Sequence, residues 1–432
     1  MQQHISSLGG NLQLAEIQFT EYDLSNGLHV ILHQDDSLPV VVTSIMYHVG
    51  AKDDPKGRSG FAHFFEHLLF EGTVNIPRGE WFKLVTANGG SNNANTSDDR
   101  TYYYEVFPAN QLELALWMEA DRLKHPVINQ IGVDTQKEVV KEEKRMRYDN
   151  RPYGMLLAEV KKHLFAQHPY QNTTIGEMEH IDASTLEEFQ DFNKKYYIPN
   201  NAVLVVAGNF EIEQAKSWID TYFGSIPKGS EIARIPIAEK PITQTIHATY
   251  EDNNIQIPML VLAYRTPSMK NHEARVLDLI SAYLSDGKSA KLYKKMVDEK
   301  KIALQMGAFN HSQEDYGMYI MYGIPMSGVS LEDLKKEIDA EIFKLQNELI
   351  SETDFQKLKN KQANHMVDSR ASLENIAHDL ATFYLLHHEV NLINTEAQHY
   401  DTITREDIQQ IAQTYLKTEQ RLELAYNPKT QN

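Results

Sequence analysis

The chain runs through one order of segments twice, and that internal replay limits its architecture more than any single motif does. The first pass opens with residues 19–24 and 28–32. Both alternate apolar and polar side chains around Asn26-Gly27, a pair suited to a two-residue hairpin turn. A strand at 40–49, a buried helix at 61–70, a strand at 102–107, helices at 112–122 and 134–148, and a β-branched strand at 202–207 follow. The second pass starts with an apolar strand at 259–264 and a helix at 272–284. Long helices at 331–349 and 352–367 lead to a strand at 421–426 that matches 202–207 in place. Between the passes, Ile226-Pro227-Lys228-Gly229-Ser230 breaks the pattern, and Pro236 and Pro241 extend the break. Strands and helices mix without strict βαβ alternation. The expected fold class is therefore α+β, with two homologous domains, each a mostly antiparallel sheet flanked by helices. The expected boundaries are 1–228, a linker at 229–243, and 244–432.

Composition excludes several partners. Lys and Arg number 42 against 60 Asp and Glu, a formal net charge of -18. Binding that rests on phosphate neutralisation needs the opposite balance, so neither nucleic acid nor an anionic membrane surface is expected. No stretch approaches the 18 or so apolar residues of a membrane span, and residues 1–7 lack a basic region followed by an apolar one. No export signal is therefore read at the start of the chain. The absence of cysteine removes disulfides, thiolate ligands and cysteine nucleophiles together.

The chemistry concentrates in Phe61-Ala62-His63-Phe64-Phe65-Glu66-His67-Leu68. A spacing of four puts His63 and His67 on one helix face, one turn apart, as two ligands of one ion require. Glu66 lies near the same face, too close in sequence to ligate easily beside both imidazoles but able to take a proton from a metal-held water. The order H-x-x-E-H is the inverse of the commoner peptidase signature. Catalytic zinc needs three protein ligands and an open position, and without cysteine the third is a histidine or a carboxylate. The helix at 134–148 offers Glu138, Glu142 and Glu143, among which helical geometry does not choose.

These segments resemble the pitrilysin and insulinase family of metallopeptidases, particularly the half-length branch that includes the mitochondrial processing peptidase and many bacterial enzymes. The likeness covers nearly the whole chain. It rests on Gly60 through Thr73, on Asn88-Gly89-Gly90 followed by Asn93-Ala94-Asn95-Thr96, and on the helix from Val139-Val140 to Glu143. It implies one Zn2+ per chain, held by His63, His67 and Glu143, with Glu66 as the catalytic base, and peptide hydrolysis as the reaction. Relatives often carry a glutamate seven residues before the third ligand, supporting the metal or its water; Gln136 stands there. Family proteins bind substrate as an added strand on a sheet edge. The resemblance places that edge at Asn93, Ala94 and Thr96, a stretch that otherwise reads as a polar loop.

The second half departs from the family pattern. An arginine and, seven residues on, a tyrosine usually reach across to the oxyanion and the substrate; here Val297 and Leu304 occupy those places, and neither donates a hydrogen bond. Oxyanion donors are worth a few kcal/mol of barrier. A heterodimer with a homologous subunit bearing the arginine and tyrosine is therefore expected. The alternative is a homodimer with donors from elsewhere, such as Tyr316. The resemblance also implies a chamber admitting unfolded peptides, whose acidic balance would favour basic ones, in a bacterial periplasm or cytoplasm. Two rival classes rank below the peptidase. A non-catalytic scaffold subunit of the same fold usually has a damaged motif, and a metal-storage module would not keep an open site beside a base.

Overall fold

The computed structural model describes residues 15–429, so the opening residues 1–7 read above lie outside it. The first sheet contains β1 (Thr20–Asp23), β2 (His29–Gln34), β3 (Val40–Tyr47), β4 (Ser91–Thr96), β5 (Thr101–Pro108) and β6 (Ala202–Gly208). Their spatial order is β1-β2-β6-β3-β5-β4. The central β6, Ala202-Val203-Leu204-Val205-Val206-Ala207-Gly208, is buried throughout because both faces are covered, which is why it reads as a continuous apolar run. The link between β1 and β2 differs from the two-residue turn expected. Leu24 N–H bonds Leu28 O at 2.9 Å, leaving Ser25, Asn26 and Gly27 in the loop, with Gly27 at φ 86°. A glycine in the left-handed region ends such three-residue loops.

The second sheet contains β7 (Ile246–Asp252), β8 (Met259–Thr266), β9 (Ala303–His311), β10 (Gly317–Pro325) and β11 (Arg421–Pro428), in the order β7-β11-β8-β10-β9. Each sheet has one parallel pair, β2 with β6 and β7 with β11, and the remaining pairs are antiparallel. Apart from β1, the two sheets share one strand order. The replay seen in sequence is thus a replay of topology, and β4 and β9 are its equivalent edge strands.

The first half carries α1 (Phe61–Leu68), α2 (Trp81–Ala87), α3 (Leu112–Lys124), α4 (Gln130–Lys144), α5 (Leu156–Leu164), α6 (Met178–Ala183), α7 (Leu186–Tyr196) and α8 (Ile212–Phe223). The second half carries α9 (His272–Ser285), α10 (Leu331–Asn347), α11 (Glu352–Ser369), α12 (Leu373–Thr382), α13 (Leu392–Asp401) and α14 (Arg405–Tyr415). One face of each sheet is covered by its own half. The other face is covered by exchange. Leu373, Ile376 and Leu380 of α12 pack on Ile31, Met46 and Val205 of the first sheet. Reciprocally, Val160 and Leu164 of α5 pack on Val261, Ile320 and Leu424 of the second. Neither sheet could bury both apolar faces with its own segments, so the halves are interlocked.

Polar contacts reinforce the junction. Lys161 Nζ lies 2.6 Å from Asp98 Oδ1, and Lys52 Nζ lies 2.9 Å from Asp99 and 2.7 Å from Glu314. Glu314 N–H in turn donates to Asp99 Oδ2 at 2.9 Å. The turn between β4 and β5 is therefore gripped by the turn between β9 and β10.

Candidate metal centre and substrate edge

Helix α1 is placed by its start and by its buried face. Gly60 precedes it at φ 96°, and the N–H groups of Gly60 and Ala62 donate to the two oxygens of Asp54 at 2.6 and 2.9 Å. These bonds satisfy donors that a helix N-terminus leaves free. Phe61, Phe64, Phe65 and Leu68 are buried, and Tyr103 Oη donates to Phe65 O at 2.8 Å, fastening the helix to β5. Packing of that face leaves His63 and His67 turned toward α4.

Glu143 on α4 meets them. Its Oε2 lies 3.4 Å from His63 Nε2 and 3.1 Å from His67 Nε2. Tetrahedral zinc with ligand distances near 2.0–2.1 Å sets its ligand atoms about 3.4 Å apart, close to both separations from Oε2, and the three ligand atoms all lie within 4.8 Å of one another. One orphaned atom agrees: Glu143 Oε2 is buried and has no hydrogen-bond partner. Among the described residues these three form the one cluster able to hold a metal. Exposure separates the three glutamates that sequence left open. The side chain of Glu143 is 15% exposed, against 59% for Glu142 and 71% for Glu138.

Burial, aided by the charge of His67, lowers the His63 pKa to about 4, so its ring is neutral and able to ligate near pH 7. Burial works the other way on Glu143, but the adjoining His67 and His63 rings and the Arg147 guanidinium hold its carboxyl below the usual range. Glu66 stands beside this cluster. Burial raises its pKa against the opposing hydrogen bond from Thr96, whose Oγ1 donates to Glu66 Oε2 at 2.7 Å. A raised carboxyl is a better proton acceptor once ionised.

Thr96 belongs to β4, an edge strand paired with β5 alone. The residues read as a polar loop from composition are thus a strand in register with Thr101–Pro108, as the family likeness implied. Asn93 Oδ1 accepts from the N–H of Ala94 at 2.9 Å. Thr96 reaches the site with its side chain; Asn93 and Ala94 contribute a stretch of edge. Gln136 donates to Glu71 Oε1 at 2.5 Å and makes no hydrogen bond to the three ligands.

In the second half, Val297 packs against the core around α9 and α10, while Leu304 lies exposed on β9. Tyr316 Oη accepts the N–H of Glu239, at the linker. Sequence reading passed over Arg147, whose Nη1 lies 2.8 Å from Glu143 Oε1. The signal was its spacing of four from the third ligand.

Two family models match the chain, one described as Insulinase (Peptidase family M16) over residues 29–178 and one as Peptidase M16 inactive domain over 183–362. The chain belongs to peptidase family M16. It is similar to the zinc protease PqqE of Helicobacter pylori, 29% identical over 408 residues that cover 94% of this chain and 92% of that protein. Among solved structures, a protease from Helicobacter pylori superposes with a TM-score of 0.90 at 28% identity, covering 95% of this chain and 100% of that one. The periplasmic protease PqqL of Escherichia coli shares the fold at 18% identity, with a TM-score of 0.78 over 98% of this chain and 48% of that one. No helix among the described residues is long and apolar enough to cross a membrane.

Proposed function

We propose that this chain is the metal-carrying subunit of a zinc-dependent endopeptidase acting on unfolded peptides. The observation that carries the reading is the convergence of His63, His67 and Glu143, with ligand atoms within 4.8 Å of one another, beside Glu66. Relatives called zinc proteases support it.

Zinc in this site supplies a Lewis acid for water and for the scissile carbonyl. His63, His67 and Glu143 hold it. Glu66 takes the proton of the attacking water on Oε1, because Oε2 is engaged by Thr96, and returns it to the leaving amine nitrogen. The free edge of β4 binds the peptide backbone as an added strand, independent of side-chain identity.

With Val297 in the core and Leu304 apolar, the oxyanion donors come from a homologous partner subunit bearing the arginine and tyrosine. The test is hydrolysis of an internally quenched peptide by this chain alone and with such a homologue. Activity is expected only for the pair, abolished by chelator and restored by zinc. No hydrolysis by either preparation with zinc bound defeats the peptidase reading; full activity of the chain alone replaces the heterodimer with a second copy.

A further inference from the structure

Glu143 gives its two carboxylate oxygens to different neighbours. Oε2 faces the imidazole nitrogens at 3.4 and 3.1 Å, while Oε1 meets Arg147 Nη1 at 2.8 Å. A carboxylate binds zinc through one oxygen or both, and the choice decides how many positions remain for water and substrate. The two oxygens of one carboxylate are close enough that a small side-chain rotation would bring Oε1 to an ion held at Oε2. We propose that Arg147 is a positioning residue of the zinc site: it retains Oε1, so that Glu143 contributes Oε2 alone. The inference rests on the zinc reading above.

The local fold delivers Arg147 to that oxygen. Helix α4 ends at Lys144 and the chain continues as a π-helical turn, Arg145–Asp149, pinned by Lys144 Nζ at 2.8 Å from Asp149. Arg147 lies four residues beyond Glu143, the spacing at which helical side chains meet. A second ion pair on the same turn supplies the contrast. Arg145 and Glu142 are 3.0 Å apart, but both are exposed, and such pairs contribute little. Glu143 differs because its side chain is 15% exposed and only Oε1 is directed at the guanidinium. Hydrogen-bonded partners behind a metal ligand fix its orientation, and a planar guanidinium does so better than an ammonium.

The experiment compares visible absorption of the cobalt(II)-substituted wild type with R147A, R147K and R145A. Higher coordination number weakens cobalt d–d bands, so R147A is expected to lose band intensity. R147K should recover most of it, and R145A should match wild type. Because the side chain of Arg147 is 72% exposed, its removal leaves folding intact, read as an unchanged apo melting temperature. An R147A spectrum superposable on wild type overturns the proposal. A wild type that takes up neither zinc nor cobalt overturns the zinc reading, and this inference with it.

Discussion

Thr96 Oγ1 donates to Glu66 Oε2 at 2.7 Å, joining the edge strand to the motif helix. The family likeness placed Thr96 at the substrate edge; in the structure its side chain bonds Glu66. Hydrogen bonds to charged groups are worth about 1.5–3 kcal/mol, so T96V is expected to lower kcat by roughly tenfold to a hundredfold. KM should hardly move, because the backbone edge is intact, and T96S should restore turnover. Steady-state kinetics on one quenched peptide decides it; an unchanged kcat in T96V would remove Thr96 from the base.

The proposed function assigns metal holding and proton transfer to different residues, and substitution should separate them. E66Q is expected to retain one zinc while kcat falls by about two to four orders of magnitude, the usual weight of a general base. H63A and E143A remove atoms of the cluster itself and should lose the metal. Metal content by mass spectrometry, read beside kcat, checks both. Zinc-free E66Q protein would show that Glu66 is a ligand instead.

Two glycines of left-handed backbone test what places α1. Gly60 sits at φ 96°, and a Cβ there would lie 2.8 Å from Ile175 O; Gly57 sits at φ 74° with nothing within 4 Å. G57A therefore suffers backbone strain alone, on the order of 1 kcal/mol, whereas G60A adds a clash with backbone and should lose roughly 2–3 kcal/mol. G60A should also weaken zinc binding, since the helix it displaces carries both histidines. Denaturant unfolding with and without zinc measures the pair; equal losses would mean that the close approach to Ile175 is immaterial.

Glu314 makes the junction sensitive to acid. Burial opposes its ionisation, but the hydrogen bond from His48 at 2.7 Å and the Lys52 ammonium at 2.7 Å outweigh burial and hold its carboxyl well below the usual range. A carboxyl lowered on folding stabilises fully above the ordinary carboxylate pKa of about 4.3. That contribution dwindles below it and is gone once pH has fallen through the folded value. E314Q is expected to lose about 1.5–3 kcal/mol at pH 7, with the gap to wild type closing as pH drops below about 4. Unfolding free energies across pH 3 to 8 test this, and a gap independent of pH would refute the assignment.

Much of this was legible because its signals are local. The β-branched run of β6, the four-residue spacing of His63 and His67 and the break near Pro227 each express a nearest-neighbour rule. The residues of β4 did not, since Ser91 to Thr96 carries no apolar alternation; an edge strand facing water needs none, and only the family likeness marked it. The choice of Glu143 over Glu142 depends on which face of α4 turns toward α1, a tertiary fact seen as burial. The exchange of α5 and α12 was out of reach for the same reason. Each helix reads as an ordinary amphipathic segment, and nothing within it says which sheet it covers. The bond from the Thr96 side chain to Glu66 was out of reach too, because it depends on which helix lies over that end of β4.

Edge binding makes a position-specific prediction. Ser97 N–H donates to Arg100 O at 2.9 Å and closes the hairpin, so these two are a hydrogen-bonded pair. Antiparallel pairs alternate, which turns the backbone groups of Asn95, Asn93 and Ser91 toward β5 and those of Thr96, Ala94 and Asn92 toward the free edge. The bond from Ala94 N–H to Asn93 Oδ1 agrees, since a donor in the ladder would be spent on β5. Proline at 94 removes an N–H that β5 does not use and that an added strand would take over from Asn93 Oδ1, and proline is tolerated on sheet edges. A94P is therefore expected to raise KM by about twofold to tenfold, the worth of one hydrogen bond, with an unchanged melting temperature. N95P one residue on should reverse the pattern, because its N–H belongs to the ladder: the melting temperature falls. KM for a peptide substrate and thermal unfolding of both variants suffice. If A94P folds normally and binds peptide as wild type does, substrate does not add to β4 at this position.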